Sequence, residues 1–331
     1  MSSLVIQTSF LGDMVLTTPL LAFLAESGPV DVVATPAAST LLTNHPAVRR
    51  VISYDKRGTE KGTLGFVRLA MRLRGKRYRA AYLAQGSVRS GALAMMAGIP
   101  KRVGFDSSAA RSFYTDRLPY IENDHHEKRL LSLAGGVDAA RGDRLRPRLY
   151  PGDAEQAIVD ALLAKVNPST PLFALAPGSV WATKRWPGFV KLATALSRRG
   201  TVVTIGSDGD RDLATAIGAA VGAGAIDATG RLSLLASAEL IRRSRVLITN
   251  DSAPQHLASA MNTPTVAIFG PTVPAFGFGP LAERSTVIGI DTLACRPCDR
   301  HGPMSCPLGH WKCMVEIGPV SVLDAVDRLS G

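Results

Sequence analysis

The stretch LVIQTSFLGDMVLTTP, residues 4–19, decides the reading of the chain. An apolar run, LVIQT, is followed by a short turn and an apolar helical pattern, which makes it the first strand-to-helix turn of an α/β unit. In a dinucleotide-binding fold this turn would read G-x-G-x-x-G and leave the helix start open for a pyrophosphate. Here one glycine, Gly12, is followed directly by Asp13. A carboxylate repels phosphate, so this unit is not built to hold a nucleotide at that point. Asp13 is a candidate general base. An acid at a helix start also serves as a plain N-cap, and the residues alone leave both readings open. Pro19, inside the helical pattern, predicts a bend or a restart of that helix.

The same rhythm continues. LVIQT, VDVVAT (30–35), RVISY (50–54) and AAYLA (80–84) read as strands, with helices near Asp13–Glu26 and Gly62–Leu73. A helical pattern over Asp153–Val166 leads into NPSTP, Asn167–Pro171, the expected linker. Then LFALAP, VVTIG, AIDAT, RVLITN and PTVAIFG repeat the alternation of a parallel sheet. The expected architecture is α/β, with two Rossmann-like doubly wound domains facing across a cleft, 1–166 and 167–318. An amphipathic helix closes the chain over 319–331.

The length of 331 residues with 46% hydrophobic content supports two cores. Met14–Ala25, the longest apolar stretch near the start, is too short and too interrupted for a membrane span and lacks a basic leader, so a cytoplasmic protein is expected. The net charge of +11 is unevenly placed: residues 49–148 hold 22 Lys and Arg against 9 Asp and Glu, the rest 16 against 18. A basic half points to a polyanionic partner, whether nucleic acid, an anionic membrane surface or a phosphorylated substrate. With only 6% aromatic residues, stacking platforms for single-stranded nucleic acid are not expected.

In the second half, APGSVWATKRWP (176–187) is a strand end, a Pro-Gly turn, Lys184 and a helix start, a combination suited to an anion. LITNDSAPQHLASAM (247–261) sets Asn250, Asp251 and Ser252 at the end of an apolar strand, with His256 a helical turn further on. Asp251 or Ser252 as a helix cap and His256 as a core residue are the structural alternatives. FGPTVP (269–274) closes a further strand at the same edge.

Taken in order, GDMVLTTP, PGSVWATKRWP, NDSAPQH and FGPTVP, with GFDSSAARSFYTDRLPY and HHEKRLLSLAGG between the first two, resemble glycosyltransferase family 9, the ADP-heptose:lipopolysaccharide heptosyltransferases. NDS is closer to the heptosyltransferase II branch, although Ala253 stands where that branch usually has glycine and Gln255 where it often has methionine. The resemblance implies a GT-B fold whose terminal helix packs back towards the first domain, and an inverting transfer from an ADP-sugar that needs no metal. It implies Asp13 as the base. Ser179 and Lys184 would contact the donor diphosphate, with Asp251, Ser252, Ala253 and His256 around the sugar and phosphates. Leu232 would lie beside adenosine and Asp208 near the ribose. The acceptor would be the phosphorylated lipopolysaccharide inner core at the anionic inner-membrane surface, with Arg111, then Lys101 and Arg102, as acceptor-side candidates and no specific nucleic acid. Other readings kept open are a GT-B transferase or epimerase using a different nucleotide sugar, and a basic nucleic-acid-binding protein.

All four cysteines, Cys295, Cys298, Cys306 and Cys313, fall in the segment CRPCDRHGPMSCPLGHWKC. In a cytosolic chain such spacing suggests a structural zinc, with reduced thiols or disulfides as alternatives. Arg296, Lys312 and the intervening histidines could instead form a loop at the cleft.

Overall fold

The computed structural model describes residues 2–135 and 146–330. Gly136, at the end of HHEKRLLSLAGG, and Arg141 and Arg144 of the basic half lie outside the described residues. The chain divides into two units, Met1–Tyr150 and Pro151–Gly331.

The first unit holds β1 (Ser3–Gln7), α1 (Leu11–Ala25), β2 (Val30–Ala34), α2 (Pro36–Thr40), β3 (Val48–Ser53), α3 (Thr63–Arg74), β4 (Ala80–Leu83), α4 (Val88–Met96), β5 (Lys101–Phe105), β6 (Asp116–Leu118) and α5 (His126–Ser132). Its six strands are parallel in the order β3-β2-β1-β4-β5-β6. The order reverses between β1 and β4, so a crevice opens at the carboxyl ends of those two strands. Leu4 and Ile6 of β1 face a core shared with Leu69 and Leu73 of α3 and Leu93 of α4. Gln7 points to the other side and reaches Thr17 of α1 (3.3 Å).

Helix α1 runs through Pro19 without a break. The proline cannot donate to the Val15 carbonyl four residues back, and the Thr18 hydroxyl does so instead (2.8 Å). Asp31, a charge inside β2, is fully buried and accepts both Nε and Nη2 of Arg49 (2.9 Å each) and the Tyr78 hydroxyl (2.6 Å). A buried carboxylate needs such partners.

The second unit contains α6 (Asp153–Leu163), β7 (Leu172–Ala176), α7 (Phe189–Leu196), β8 (Thr201–Thr204), α8 (Arg211–Val221), β9 (Ala225–Asp227), α9 (Leu234–Arg243), β10 (Val246–Asn250), α10 (Ala253–Met261), β11 (Thr265–Ile268), β12 (Ser285–Ile288), α11 (Lys312–Val315) and α12 (Pro319–Ser330). Its parallel order, β12-β11-β10-β7-β8-β9, repeats that of the first sheet, with the reversal between β7 and β10.

Two boundaries differ from expectation. Helix α6 lies against α9, buries Val159 and carries Asp160, which pairs with Arg243 at 2.5 Å. It therefore belongs to the second unit, and Asn167–Pro171 is a turn inside that unit. Polar, Pro-containing turns mark loops of every kind, so composition alone does not separate a linker between domains from a turn within one. The terminal helix α12, expected as a segment of its own, falls within the second unit and sits on α7, β10, β11 and β12, with Val322, Ala325 and Val326 inside the second core. Among the described residues, no helix is long and apolar enough to cross a membrane.

Candidate functional site

Asp13 is the third residue of α1, where its carboxylate can turn back to the helix start. Oδ2 accepts the Ser9 hydroxyl (2.6 Å) and the Phe10 N–H (3.3 Å). Gln7 Oε1 in turn accepts the Ser9 N–H (3.2 Å) and hydroxyl. One carboxylate oxygen thus does the capping work that the sequence allowed for, while Oδ1 faces Nε2 of His126 at 3.7 Å. His126 opens α5, which packs along α1, and that packing brings it to Asp13. Nothing in the residues around His126 announces this contact; the family likeness of the HHEKRLLSLAGG helix start is the one signal that touches it.

The same crevice carries two cations that sequence reasoning missed. Lys56, just after β3, donates to the Thr8 carbonyl (2.7 Å), and burial, with Arg57 and Arg89 nearby, lowers its pKa. Arg89 donates to the Tyr54 hydroxyl (2.7 Å) and lies over the Tyr54 and Phe66 rings. With Thr8, Ser87 and Ser90 they line a cavity of about 230 Å³. The available signal was positional, since both residues follow strand ends of a parallel sheet.

The three acceptor-side candidates separate. Arg111 is exposed and follows Ala110, whose N–H reaches the Gly86 carbonyl (3.3 Å) just past β4, so it stands near the carboxyl edge. Lys101 and Arg102 begin β5, at the opposite edge from Asp13. Arg102 spends its guanidinium on the carbonyls of Phe113 (2.6 Å) and Ile99 (2.7 Å), and Lys101 faces Asp116 at 3.9 Å. These two are therefore corrected to structural and surface roles.

In the second unit the expected donor residues gather at the carboxyl edge. Lys184 is buried, with Nζ 2.6 Å from Asp251 Oδ2. Asp251 also accepts from Thr272 (2.6 Å) and from Gln255 Nε2 (2.9 Å, on Oδ1). Asn250 bridges the strand reversal, donating to the Pro177 carbonyl (2.7 Å) and accepting the Trp186 N–H (3.1 Å). Ser252 occupies the cap position of α10, yet its side chain makes no capping bond. The first turn of α10, with Ala253 leading and His256 buried behind, thus presents a positive helix end beside Lys184. Ser179 lies half-buried in the preceding turn, its carbonyl bound by Arg185 Nε (2.9 Å).

Glycines allow the turns of this edge to meet. A Cβ on Gly178 would stand 2.2 Å from Asp210 Oδ1, and one on Gly230 (φ 65°) would stand 2.0 Å from Asp208 Oδ1. The Asp208 turn therefore lies against the Gly230–Leu232 turn, bringing together the two residues expected at the nucleoside end. Asp208 is exposed and pairs with Arg211 (2.7 Å).

The cysteine-rich segment covers Lys184. His301 stacks on Trp181 with centroids 5.5 Å apart, Lys184 Nζ lies over that indole at 5.3 Å, and the Thr183 hydroxyl bonds the Pro303 carbonyl. A Cβ on Gly302 would come within 3.1 Å of Lys184 Cε. The cysteines are free thiols, with Cys295 Sγ 4.0 Å from His310 Nε2. Burial pushes Cys313 up to about 11 and raises Cys298, whereas the Trp311 N–H lowers Cys306. Among the described residues, no group of three or more His, Cys, Asp or Glu side chains is placed to hold a metal ion.

Two doubly wound units, one with Asp13 at its carboxyl edge and the other with a lysine beside a helix start, form the architecture of a glycosyltransferase of the GT-B fold. Residues 66–311 match glycosyltransferase family 9 (heptosyltransferase), and the chain belongs to that family. It is 30% identical to lipopolysaccharide heptosyltransferase 1 of Pseudomonas aeruginosa over 90% of this chain and 86% of that protein. Identity to lipopolysaccharide heptosyltransferase 2 of Escherichia coli is 29%, over 99% of this chain and 98% of that one. The solved E. coli ADP-heptose LPS heptosyltransferase II is similar with a TM-score of 0.81 and 26% identity, covering 100% of this chain and 98% of that one.

Proposed function

We propose that the enzyme transfers heptose from ADP-heptose to the lipopolysaccharide inner core, inverting the anomeric centre, with no metal in the transfer step. The observation that carries this reading is the state of Asp13, whose Oδ2 is tied to Ser9 and Phe10 while Oδ1 faces His126 Nε2 from 3.7 Å, beyond hydrogen-bond distance. As the acceptor oxygen bonds to the anomeric carbon, its O–H bond breaks and the proton passes to Oδ1. The bond from the anomeric carbon to the β-phosphate oxygen breaks in the same step, and the electron pair leaves with ADP.

The second unit supports the departure. Lys184 and the first turn of α10 are fixed before reaction, so charge developing on the β-phosphate meets donors that need no reorganisation. Lys56, Arg89 and Arg111 give the acceptor edge cations for a phosphorylated core. On this reading the enzyme works as a cytoplasmic protein at the anionic inner-membrane surface, where its acceptor is held.

The test is a donor screen followed by product analysis. ADP and ADP-heptose should raise the melting temperature where UDP and GDP compounds do not, and EDTA-treated enzyme should keep its rate. Stabilisation by uridine nucleotides, or EDTA inhibition reversed by Mg²⁺, refutes the donor or the metal-free step respectively.

A further inference from the structure

Helix α3 has two apolar stripes. Gly65, Leu69, Ala70 and Leu73 are buried, with the leucines in the core beneath the first sheet. On the opposite side, Leu64, Val67 and Met71 are 82%, 42% and 60% exposed. Their i, i+3, i+7 spacing lines them up along one face of the helix. Helical geometry sets Arg68 and Arg72 on one flank of that stripe and Arg74 on the other, and all three are exposed. Met95 and Met96 of α4, which packs on α3, are exposed as well.

Charge reinforces the pattern. Between Arg57 and Arg79 the sequence has eight Lys or Arg and one acid, Glu60, whose carboxylate is turned to the Asp55 N–H (2.9 Å). A helix face meant only for water has no use for a leucine, a valine and a methionine at its centre. An apolar stripe between arginines is the composition of a helix that lies in a lipid headgroup layer.

We propose that α3 docks the enzyme on an anionic bilayer, its apolar stripe entering the headgroup boundary and its arginines meeting lipid phosphates. Complementarity of charge selects this occupant, since a second copy of the chain would bring the same cations against themselves. The connection entering α3 leads from the crevice: Lys56, on that connection, is bonded to Thr8 at the end of β1. Docking through α3 thus brings the edge that carries Asp13 towards the lipid surface. The inference deepens the proposed acceptor reading and rests on it only for the activity measurement below.

The test is co-sedimentation of the full chain with vesicles of phosphatidylethanolamine and phosphatidylglycerol, against pure phosphatidylcholine. Wild type should prefer the anionic vesicles at least about tenfold and be released by salt. R68Q/R72Q should lower that partitioning about 30-fold, at about a fivefold loss per arginine. L64S/M71S should lower it about tenfold with the salt dependence retained. Both variants should keep turnover on a soluble, lipid-free acceptor and lose it on a vesicle-borne one, with the ADP-induced melting shift confirming the fold. Equal sedimentation of wild type and variants, or no preference for anionic vesicles, overturns the proposal. So does a conversion of L64S/M71S from dimer to monomer with vesicle binding unchanged, which would make this face a self-interface. Failure of wild type on the soluble acceptor would instead count against the enzymatic reading and leave the vesicle result to decide this one.

Discussion

Lys184 and Asp251 form a buried ion pair, Nζ to Oδ2 2.6 Å, at the start of α10. The pair holds the ammonium in one place before any ligand arrives, and Thr272 and Gln255 satisfy the remaining carboxylate positions. On the proposed reading, Asp251 also competes with the donor diphosphate for the same cation. Lys184→Ala should weaken ADP binding by about 1.5–3 kcal/mol, roughly 10- to 100-fold. It should also lower stability by about 1–3 kcal/mol, because the partly buried carboxylate loses its ionic partner and keeps only Thr272 and Gln255. Asp251→Asn should lose less stability and bind ADP at least as tightly as wild type. Calorimetric titration with ADP and urea unfolding check both variants. ADP affinity unchanged in Lys184→Ala would remove the lysine from the diphosphate site.

Asp13→Asn keeps the shape of the side chain and an oxygen for Ser9 and Phe10 but cannot take a proton. Turnover at saturating substrates should fall about 10²- to 10⁴-fold, the range of general base catalysis. ADP affinity should stay within error, because Lys184 and α10 belong to the other unit. A folded Asp13→Asn enzyme with near-normal turnover would show that the carboxylate serves only the helix start.

His126 is expected to act through Asp13, as a positioning residue that keeps Oδ1 aligned from 3.7 Å away. His126→Ala should reduce kcat about tenfold with little change in ADP affinity, and His126→Gln, which returns a polar nitrogen near the Nε2 position, should recover part of it. The decisive measurement is the double variant. In an Asp13→Asn background, His126→Ala should cost nothing further, since coupled residues are non-additive. Independent, additive losses would detach the imidazole from the base.

What could be read in the sequence followed burial. Strands β2, β7 and β10 are buried at every position and stand out as apolar runs. Strands β5, β6 and β12 write no such run: the first opens with Lys101 and Arg102, the second has no buried residue, and the third is half-buried throughout. Edge strands and their neighbours bury too little to write a pattern. The donor loop was legible because its residues are contiguous. The Lys184–Asp251 pair spans 67 positions, and nothing local to either residue announces it. Likewise, a basic half was visible as composition, but whether a cation falls at the carboxyl or the amino end of a strand emerges only with the sheet, which is what separated Arg111 from Lys101 and Arg102.

That separation gives a paired test. Arg111→Ala should raise the acceptor KM about tenfold or more, the loss of one charge-assisted contact, and flatten the salt dependence of activity while ADP affinity stays unchanged. Lys101→Ala should leave all three quantities alone, because an exposed pair with Asp116 contributes little. Steady-state kinetics over a salt series distinguishes the two. Equal effects of both substitutions would mean that the basic half attracts acceptor as a diffuse field, with no distinct acceptor edge.

Glu127 links the first unit to pH. It lies beside His126 in the first turn of α5, 4% exposed, and burial pushes its carboxyl up to about 8, partly offset by Lys128. The folded chain therefore keeps a proton that the unfolded chain releases near the ordinary value of 4.5. A raised acid contributes stability that is fully present below about 4.5 and is lost as pH rises through about 8. Its slope reaches at most about 1.4 kcal/mol per pH unit. Glu127→Gln fixes the neutral form, so it should unfold at a higher urea concentration than wild type at pH 8, with the gap closing as pH falls towards 4.5. Because every other titrating group, including buried His45, is common to both proteins, the difference between their stability–pH curves isolates this carboxyl. A constant difference across that window would mean that Glu127 is ionised in the folded enzyme, with its charge met by a partner that α5 acquires in solution.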